Sequence, residues 1–369
     1  MEEKSPRPGS YHMFVFKELV HPEGGKPRIV AFTDFDIKPR SYDELLVAKL
    51  HQGISVELEM NNARIVETDA EEISMDKYAH FTAKVVSSFT ARAIGLVRGG
   101  WLPSSLAATR KNAVILPDRN IISEIHGRFK NGRTVGREPD FLDLFEDLPV
   151  RINPMLAVME GNGRAIPEPA ATYLQLKEIA DKLKVALPSA VIMISSASVI
   201  ATCALIESTR PEFERQHEFL MRGARILGSP VARSQMDSRW GEVIAAADDC
   251  KVPRVSLSVL AVLSALVNSS GYCAAKRLLK FHPKYNKDDA YNALCDLRSL
   301  EILISCFALF PEMDTQLCTA DRHLALFWVG ANVSEIERDV DGVRYSIEPH
   351  KALLPAGYLE RWADVVGSA

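Results

Sequence analysis

The chain lacks most of the short signatures that assign a chemistry at once. It has no GxGxxG and no GxxxxGKS/T, so dinucleotide and P-loop nucleotide sites have no support. No serine sits in a GxSxG elbow. There is no CxxC pair and no His/Cys cluster with zinc spacing. The six cysteines, Cys203, Cys250, Cys273, Cys295, Cys306 and Cys318, are scattered among apolar neighbours. Such usage suits small core residues in a reducing compartment, not a disulfide framework. A large charge excess is also missing: the formal net charge is −4, so contact with nucleic acid must rest on local basic patches. The first residues, MEEKSPRPGS, contain no apolar signal core, and a cytoplasmic location is expected. Residues 187–206 carry no charge, but Pro188, Ser189, Ser195, Ser196, Ser198 and Thr202 interrupt them. That pattern reads as a buried helix, not a membrane span, and no membrane partner is expected. Internal repeats and low-complexity segments are absent.

What is present is ordinary globular material in an uneven arrangement. Of 369 residues, 47% are hydrophobic and 25% charged, enough for a substantial core and more than one structural unit. Residues 12–67 read as β-rich. Segments 11–19 and 28–35 are strand-like, and Ile54, Val56, Leu58 and Met60 alternate with polar residues. Asn61-Asn62 offers a hairpin turn before a strand at 64–67. Ser41 can cap a short helix reaching residue 51. The pattern over 75–97 is helical and stops at Gly99-Gly100. KNAVIL at 111–116 is a strand opening onto PDRN, followed by a helix over 121–129. Residues 168–291 read almost wholly as helices. A helix over 290–310 then leads to a strand at 315–319, and 331–369 read as a short charged tail with a helix near 358–366.

Four carboxylates stand in suggestive places. Asp118 follows AVILP, Glu160 ends NPMLAVME, Glu301 opens EILISCFAL, and Asp321 follows QLCTA. A strand that runs into a turn and a helix is where α/β proteins present polar groups. Carboxylates brought together at such ends repel unless a cation or a proton intervenes. An all-oxygen set suits Mg²⁺ or Mn²⁺, which can serve phosphodiester cleavage through activated water. Each acid also has a plainer reading. Asp118 and Asp321 can be helix caps or turn residues, Glu160 a surface charge, and Glu301 a solvated first-turn residue favoured by the helix dipole.

Together these residues resemble the PIN-like nuclease superfamily. The strand ending Asp118-Arg119-Asn120 is similar to that family's Asp-x-Asn. Glu160 stands for the Glu of an early helix, Glu301 for the acid opening a later helix, and Thr319-Ala320-Asp321 for the Thr-x-Asp strand end. The resemblance covers about 111–165 and 290–330. It departs from the pattern at Arg119, where a small hydroxyl residue is usual, at Glu301, where Asp is commoner, and in the helical stretch between the second and third acids. Asp296 is an alternative third ligand. The resemblance implies an α/β, three-layer fold with a central, mostly parallel sheet. Residues 1–105 would form a β-rich N-terminal unit with a following helix. Residues 106–335 would form the PIN-like domain with a helical insertion around 168–290, and 336–369 a tail. It further implies a divalent-metal-dependent nuclease acting on RNA, or sometimes DNA. Asp118, Glu160, Glu301 and Asp321 would be catalytic metal ligands for Mg²⁺ or Mn²⁺. Asn120 and Thr319 would shape the site, and a homo-oligomer is a further expectation.

Basic residues near these motifs are candidate nucleic-acid contacts: Arg119, Arg128 and Lys130 early, then Lys276, Arg277 and Lys280, and Arg322 beside Asp321. Solvated charged faces are the bland alternative for each. RIVAFTDFD at 28–36 is similar to the first motif of haloacid-dehalogenase-type phosphatases. It lacks the following Gly/Thr turn and the downstream motifs, so a strand ending in a polar turn explains it better. A non-catalytic protein-binding module on a degenerate PIN-like fold is the alternative from outside enzymology.

Overall fold

Apolar residues at alternate positions build the first unit. In the computed structural model the described residues are 14–17, 28–33, 35–75, 77–110, 112–146, 148–229, 231–268, 271–340 and 342–367. Strands β1 (Phe14–Lys17), β2 (Ile29–Thr33) and β3 (Asp36–Ile37) precede helix α1 (Tyr42–Val47), β4 (Ser55–Thr68) and β5 (Tyr78–Val86). They form one antiparallel sheet around the long β4. Val56, Leu58 and Met60 point inward from β4 while Ser55 and Glu57 stay exposed, the period-two pattern of a half-buried strand. Ser41 caps α1, its N–H donating to the Glu44 carboxylate at 2.7 Å.

Two expectations fail in this unit. Asn61-Asn62 is no hairpin turn: β4 runs straight through it, with a register shift between Met60 and Ala63. Asn62 takes φ 54°, so the left-handed residue absorbs a bulge and does not reverse the chain. The helix expected over 75–97 is instead β5 and β6 (Ile94–Val97). Eight residues of β5 pair with β4, and this ladder outweighs the helical spacing of its apolar residues. Asp34, from the phosphatase-like motif, lies outside the described residues, as does most of segment 11–27.

The central sheet starts with a hairpin. β6 turns at Gly99-Gly100 into β7 (Gly100–Pro103), and helix α2 (Ser104–Ala107) follows. Gly100 has φ 155° with the Arg40 carbonyl where a Cβ would sit, so the tight turn requires glycine. Next come β8 (Val114–Pro117), α3 (Arg119–Arg128) and the small ribbon β9 (Phe129–Lys130) and β10 (Arg133–Thr134). β11 (Arg151–Ile152), α4 (Met155–Met159), α5 (Pro169–Ala186) and β12 (Val191–Ile192) complete the first half. Helices α6 (Ser196–Leu227), α7 (Met236–Asp249), α8 (Leu257–Val267) and α9 (Ala274–Leu279) form the insertion, and α10 (Lys287–Leu309) leads into β13 (Thr315–Thr319). Then α11 (Arg322–Ala331), β14 (Val333–Asp339), β15 (Gly342–Ile347) and α12 (Ala356–Gly367) close the chain. The charged tail expected beyond 331 therefore contains an antiparallel hairpin as well as a helix.

The six strands lie in the order β12-β11-β8-β13-β6-β7. β12, β11, β8 and β13 are mutually parallel, and β6 joins β13 antiparallel. The fold is thus α/β with a mixed sheet. From β8 the chain winds outward through β11 to β12, then returns to β8's other side at β13. The direction reverses between β8 and β13, a topological switch point with a crevice at the strands' carboxyl ends. Every residue of β8 and β13 is buried, as expected of central strands covered on both faces. The expected boundary at residue 105 falls inside α2, after a hairpin that already belongs to this sheet. Gln316 ties the two together: its Nε2 donates to the Ser104 carbonyl, and its Oε1 accepts from the Ser104 hydroxyl, both at 3.0 Å.

The uncharged stretch 187–206 is not one buried helix. It begins at the C-cap of α5, passes through β12 at the sheet edge and enters α6 only at Ser196, and Val191 and Ile200 are exposed. Among the described residues no helix is long and apolar enough to cross a membrane.

Candidate acidic site at the strand ends

Strand register alone brings the first two acids together. Pro117 of β8 lies opposite Cys318 of β13, so Asp118 and Thr319 leave the sheet side by side, and Asp321 follows. Each aspartate caps the next helix. An oxygen of Asp118 accepts from the Ile121 N–H at 2.7 Å, and one of Asp321 accepts from the N–H groups of His323 (2.6 Å) and Leu324 (3.1 Å). The plain reading as caps is therefore correct for both, and it is compatible with more, because a carboxylate has a second oxygen. Thr319 links the pair. Its hydroxyl oxygen accepts from the Asp321 N–H at 2.9 Å, and its O–H donates to Asp118. Asn120 contributes through its backbone N–H to Asp118, while its side chain is exposed.

Two further acids complete the group. Glu160 ends α4 as its C-cap, next to Gly161 at φ 66°. Its carboxylate lies 3.8 Å from Arg119. Arg119 also donates to the Ala157 carbonyl at 3.1 Å, fastening α4 to the start of α3. The other acid is Asp296 of α10. Asp118, Glu160 and Asp296 line a cavity of about 30 Å³ with Cys295, Arg298 and Ser299, roughly the space of one water or one ion.

The electrostatics record this convergence. Burial pushes the Asp296 carboxyl up to about 8, reinforced by Asp321, Glu160 and Asp118, while Lys280 opposes the rise. Burial also raises Asp118, with Asp321 adding to it and the Ile121, Thr319 and Asn120 hydrogen bonds opposing. Glu160 is raised by burial and by Asp118, and lowered by Arg119. Three carboxyls are raised together, each partly by a neighbouring acid (Asp118 by Asp321, Glu160 by Asp118, Asp296 by all three of these), which marks one shared field of negative charge.

Glu301 does not join them. It lies five residues beyond Asp296, which turns a helix by ~140° and advances it by ~7.5 Å. Its carboxylate instead accepts from Gln216 Nε2 at 3.0 Å and lines a different, larger cavity. Burial pushes it up to about 7, with Glu212 adding to the rise and Gln216 and Arg298 opposing. Of the two candidates for the third acid, Asp296 is the one at the strand ends.

The expected basic contacts separate in the same way. Arg128 is 1% exposed and is held by Glu124 at 3.1 Å and Asp143 at 2.7 Å; it is structural and meets no solvent. Arg322 donates to the carbonyls of Leu45 and Leu46 at 2.9 and 2.7 Å, pinning α1 against α11. Lys130 is exposed on the β9–β10 ribbon, and Lys276 is half-buried. Arg277 and Lys280 are exposed and near the acids, since both lower His323 while Asp321 raises it. His323 and Tyr272, whose ring nitrogen and hydroxyl are 3.1 Å apart, form an unforeseen part of this rim. Only the position of His323, two residues after Asp321, could have suggested it.

Oxygen-only donors and an ion-sized cavity fit a hard divalent cation. As positioned, however, no three His, Cys, Asp or Glu side chains among the described residues stand within reach of one ion. Fit in donor chemistry and cavity size is thus met, and fit in donor spacing is not. In comparisons with known proteins, no family model, curated protein or solved structure matches the chain.

Proposed function

We propose that this protein is a divalent-metal-dependent nuclease of the PIN-like type that cleaves phosphodiester bonds in RNA. One observation carries the reading: acids from four separate elements share a field at the switch point of an α/β sheet, with Asp296 forced up to about 8. Burying mutually repelling carboxylates is costly for stability, and such arrangements cluster at functional sites. Asp118, Glu160, Asp296 and Asp321 would hold the ion, which when bound supplies the positive charge that phosphodiester cleavage requires. Arg277 and Lys280 at the rim would engage backbone phosphates without reading sequence. Thr319 orients Asp118 and the Asp321 backbone, and Arg119 restrains Glu160.

A second reading has one observation in its favour. The acids stop short of a closed ligand shell, as a non-catalytic binding module on a degenerate fold would allow. Cleavage assays separate the two. Purified protein with Mn²⁺ should cut single-stranded or structured RNA, and chelator or Asp118→Asn should abolish the cutting. Protein that neither binds Mn²⁺ nor cuts any RNA or DNA substrate would leave only the binding module.

A further inference from the structure

The larger cavity lies between the sheet and the helical insertion and encloses about 570 Å³, a size typical of small-molecule sites. Val114 and Leu116 of β8 line one wall, α6 and α10 contribute further lining, and Tyr345 of β15 adds to it. Most of the lining is apolar, and polar groups gather on one face of α6 and the facing turn of α10. Arg298 is 6% exposed and Gln216 is 2% exposed. The Arg298 guanidinium stands 5.2 Å above the Phe213 ring, and its Nη2 donates to the Thr209 hydroxyl. Arg298 also borders the small acidic cavity, but Phe213 and Thr209 line only the large one, which places its head group there.

Three of these polar atoms have no partner: Nε and Nη1 of Arg298, and Oε1 of Gln216. Gln216 spends its Nε2 on Glu301 and Glu212, which leaves the carbonyl end as a free acceptor. Buried donors and acceptors are rarely left unmatched in folded proteins. Thr209, Phe213 and Gln216 follow one another at helical spacing, so the Arg298 donors and the Gln216 acceptor lie along one face of α6. The matching group offers an acceptor and a donor side by side. A carboxylate or phosphate would face Glu301 and Glu212, and an ammonium would face Arg298 and leave its donors unmatched. We propose that this cavity binds an uncharged small molecule with an apolar, hydrocarbon or aromatic body and an amide or lactam end. The amide carbonyl accepts from Arg298, its N–H donates to Gln216 Oε1, and the body fills the apolar chamber. This site stands apart from the nuclease reading, and neither needs the other.

Calorimetric titration of the full chain with phenylacetamide, phenylacetate and phenethylamine tests it, because one body then carries three end groups. Phenylacetamide should bind at least about tenfold more tightly than either charged analogue, as expected where a buried site is built to hydrogen-bond its ligand. Arg298→Met and Gln216→Met should each weaken phenylacetamide by a similar factor, and Ser305→Phe, which fills the chamber, should abolish binding. Circular dichroism identifies any variant that has not folded, and the remaining variants together with the wild-type series then decide. Equal or tighter binding of a charged analogue overturns the proposal. So does undiminished phenylacetamide binding in a folded variant, or no phenylacetamide binding to the wild-type chain at millimolar concentration.

Discussion

Replacing Asp296 by asparagine should make the metal-free protein more stable, and the gain should depend on pH. In the unfolded chain this carboxyl titrates near 3.8; in the fold it titrates at about 8. Between those values the folded state keeps a proton that the unfolded chain has lost. Stability contributed by this group is therefore full below the lower value, falls as pH rises through the window, and levels off above the upper one. At about 1.4 kcal/mol per unit, the interval corresponds to a ceiling of ~6 kcal/mol. Side-chain relaxation and water entry reduce such penalties, so Asp296→Asn should gain roughly 2–4 kcal/mol at pH about 8.5 and almost nothing at pH about 4. Urea unfolding in chelator across that range measures it, with the slope m checked for constancy. Added Mn²⁺ should stabilise the wild-type chain at the upper pH and stabilise the variant much less. Identical pH dependence in the two proteins would refute the reasoning, because it would mean that Asp296 does not carry the repulsion of its neighbours.

Other consequences are as direct. Glu301→Gln should leave Mn²⁺ affinity within about twofold in calorimetry, while Asp118→Asn and Asp296→Asn each lower it by about tenfold or more. Thr319→Val should cost roughly 1–3 kcal/mol in urea unfolding, since it strands the Asp321 N–H and removes a donor from Asp118. Arg128→Met should cost ~3–5 kcal/mol by leaving Asp143 and Glu124 without their buried partner. Lys280→Ala should instead leave stability within about 0.5 kcal/mol and lower the salt dependence of RNA binding by about one phosphate contact.

Asp118 and Asp321 are legible in the sequence because their setting is local. VILP is a short, wholly apolar run followed at once by Asp118 and a helix, the pattern of a central strand. TQLCT carries only Leu317 and Cys318 as apolar residues, but it too is a short run closed, after Ala320, by an acid and a helix. Glu160 is legible only by its order along the chain. The third acid is harder. EILISCFAL draws attention to Glu301 because its apolar run starts there, yet α10 begins at Lys287 and packs on several sides, so the run carries no phase. Rotation about the helix axis decides between Asp296 and Glu301, and sequence spacing fixes that rotation only once the facing element is known. The bulge at Asn62 escapes for a similar reason, since a tight hairpin and a bulge both call for a left-handed residue. β5 and the β14–β15 hairpin depend on partner strands more than on their own patterns. The helical stretch between the second and third acids is where the sequence departs from the family pattern, and α5 to α9, with β12 among them, occupy that interval. The resemblance does not anticipate that residues before Asp118 complete the sheet.

That last feature sets a timetable for folding. β13 lies between β8 and β6, pairing Thr315 with Val114 on one side and Thr319 with Ile94 on the other. During synthesis the two flanking strands emerge early and must wait, with an open slot between them, until the whole helical insertion has been made. Contacts so distant in sequence close slowly, because the loop entropy must be spent before pairing rewards it. Until β13 arrives, two buried apolar strands present unpaired edges, the state most exposed to aggregation. A nascent chain stalled before residue 315 should therefore hold a protease-sensitive, chaperone-bound half sheet. The acids, of which Asp118 ends a strand beside the slot and Asp321 the strand that fills it, would assemble only as that last strand enters.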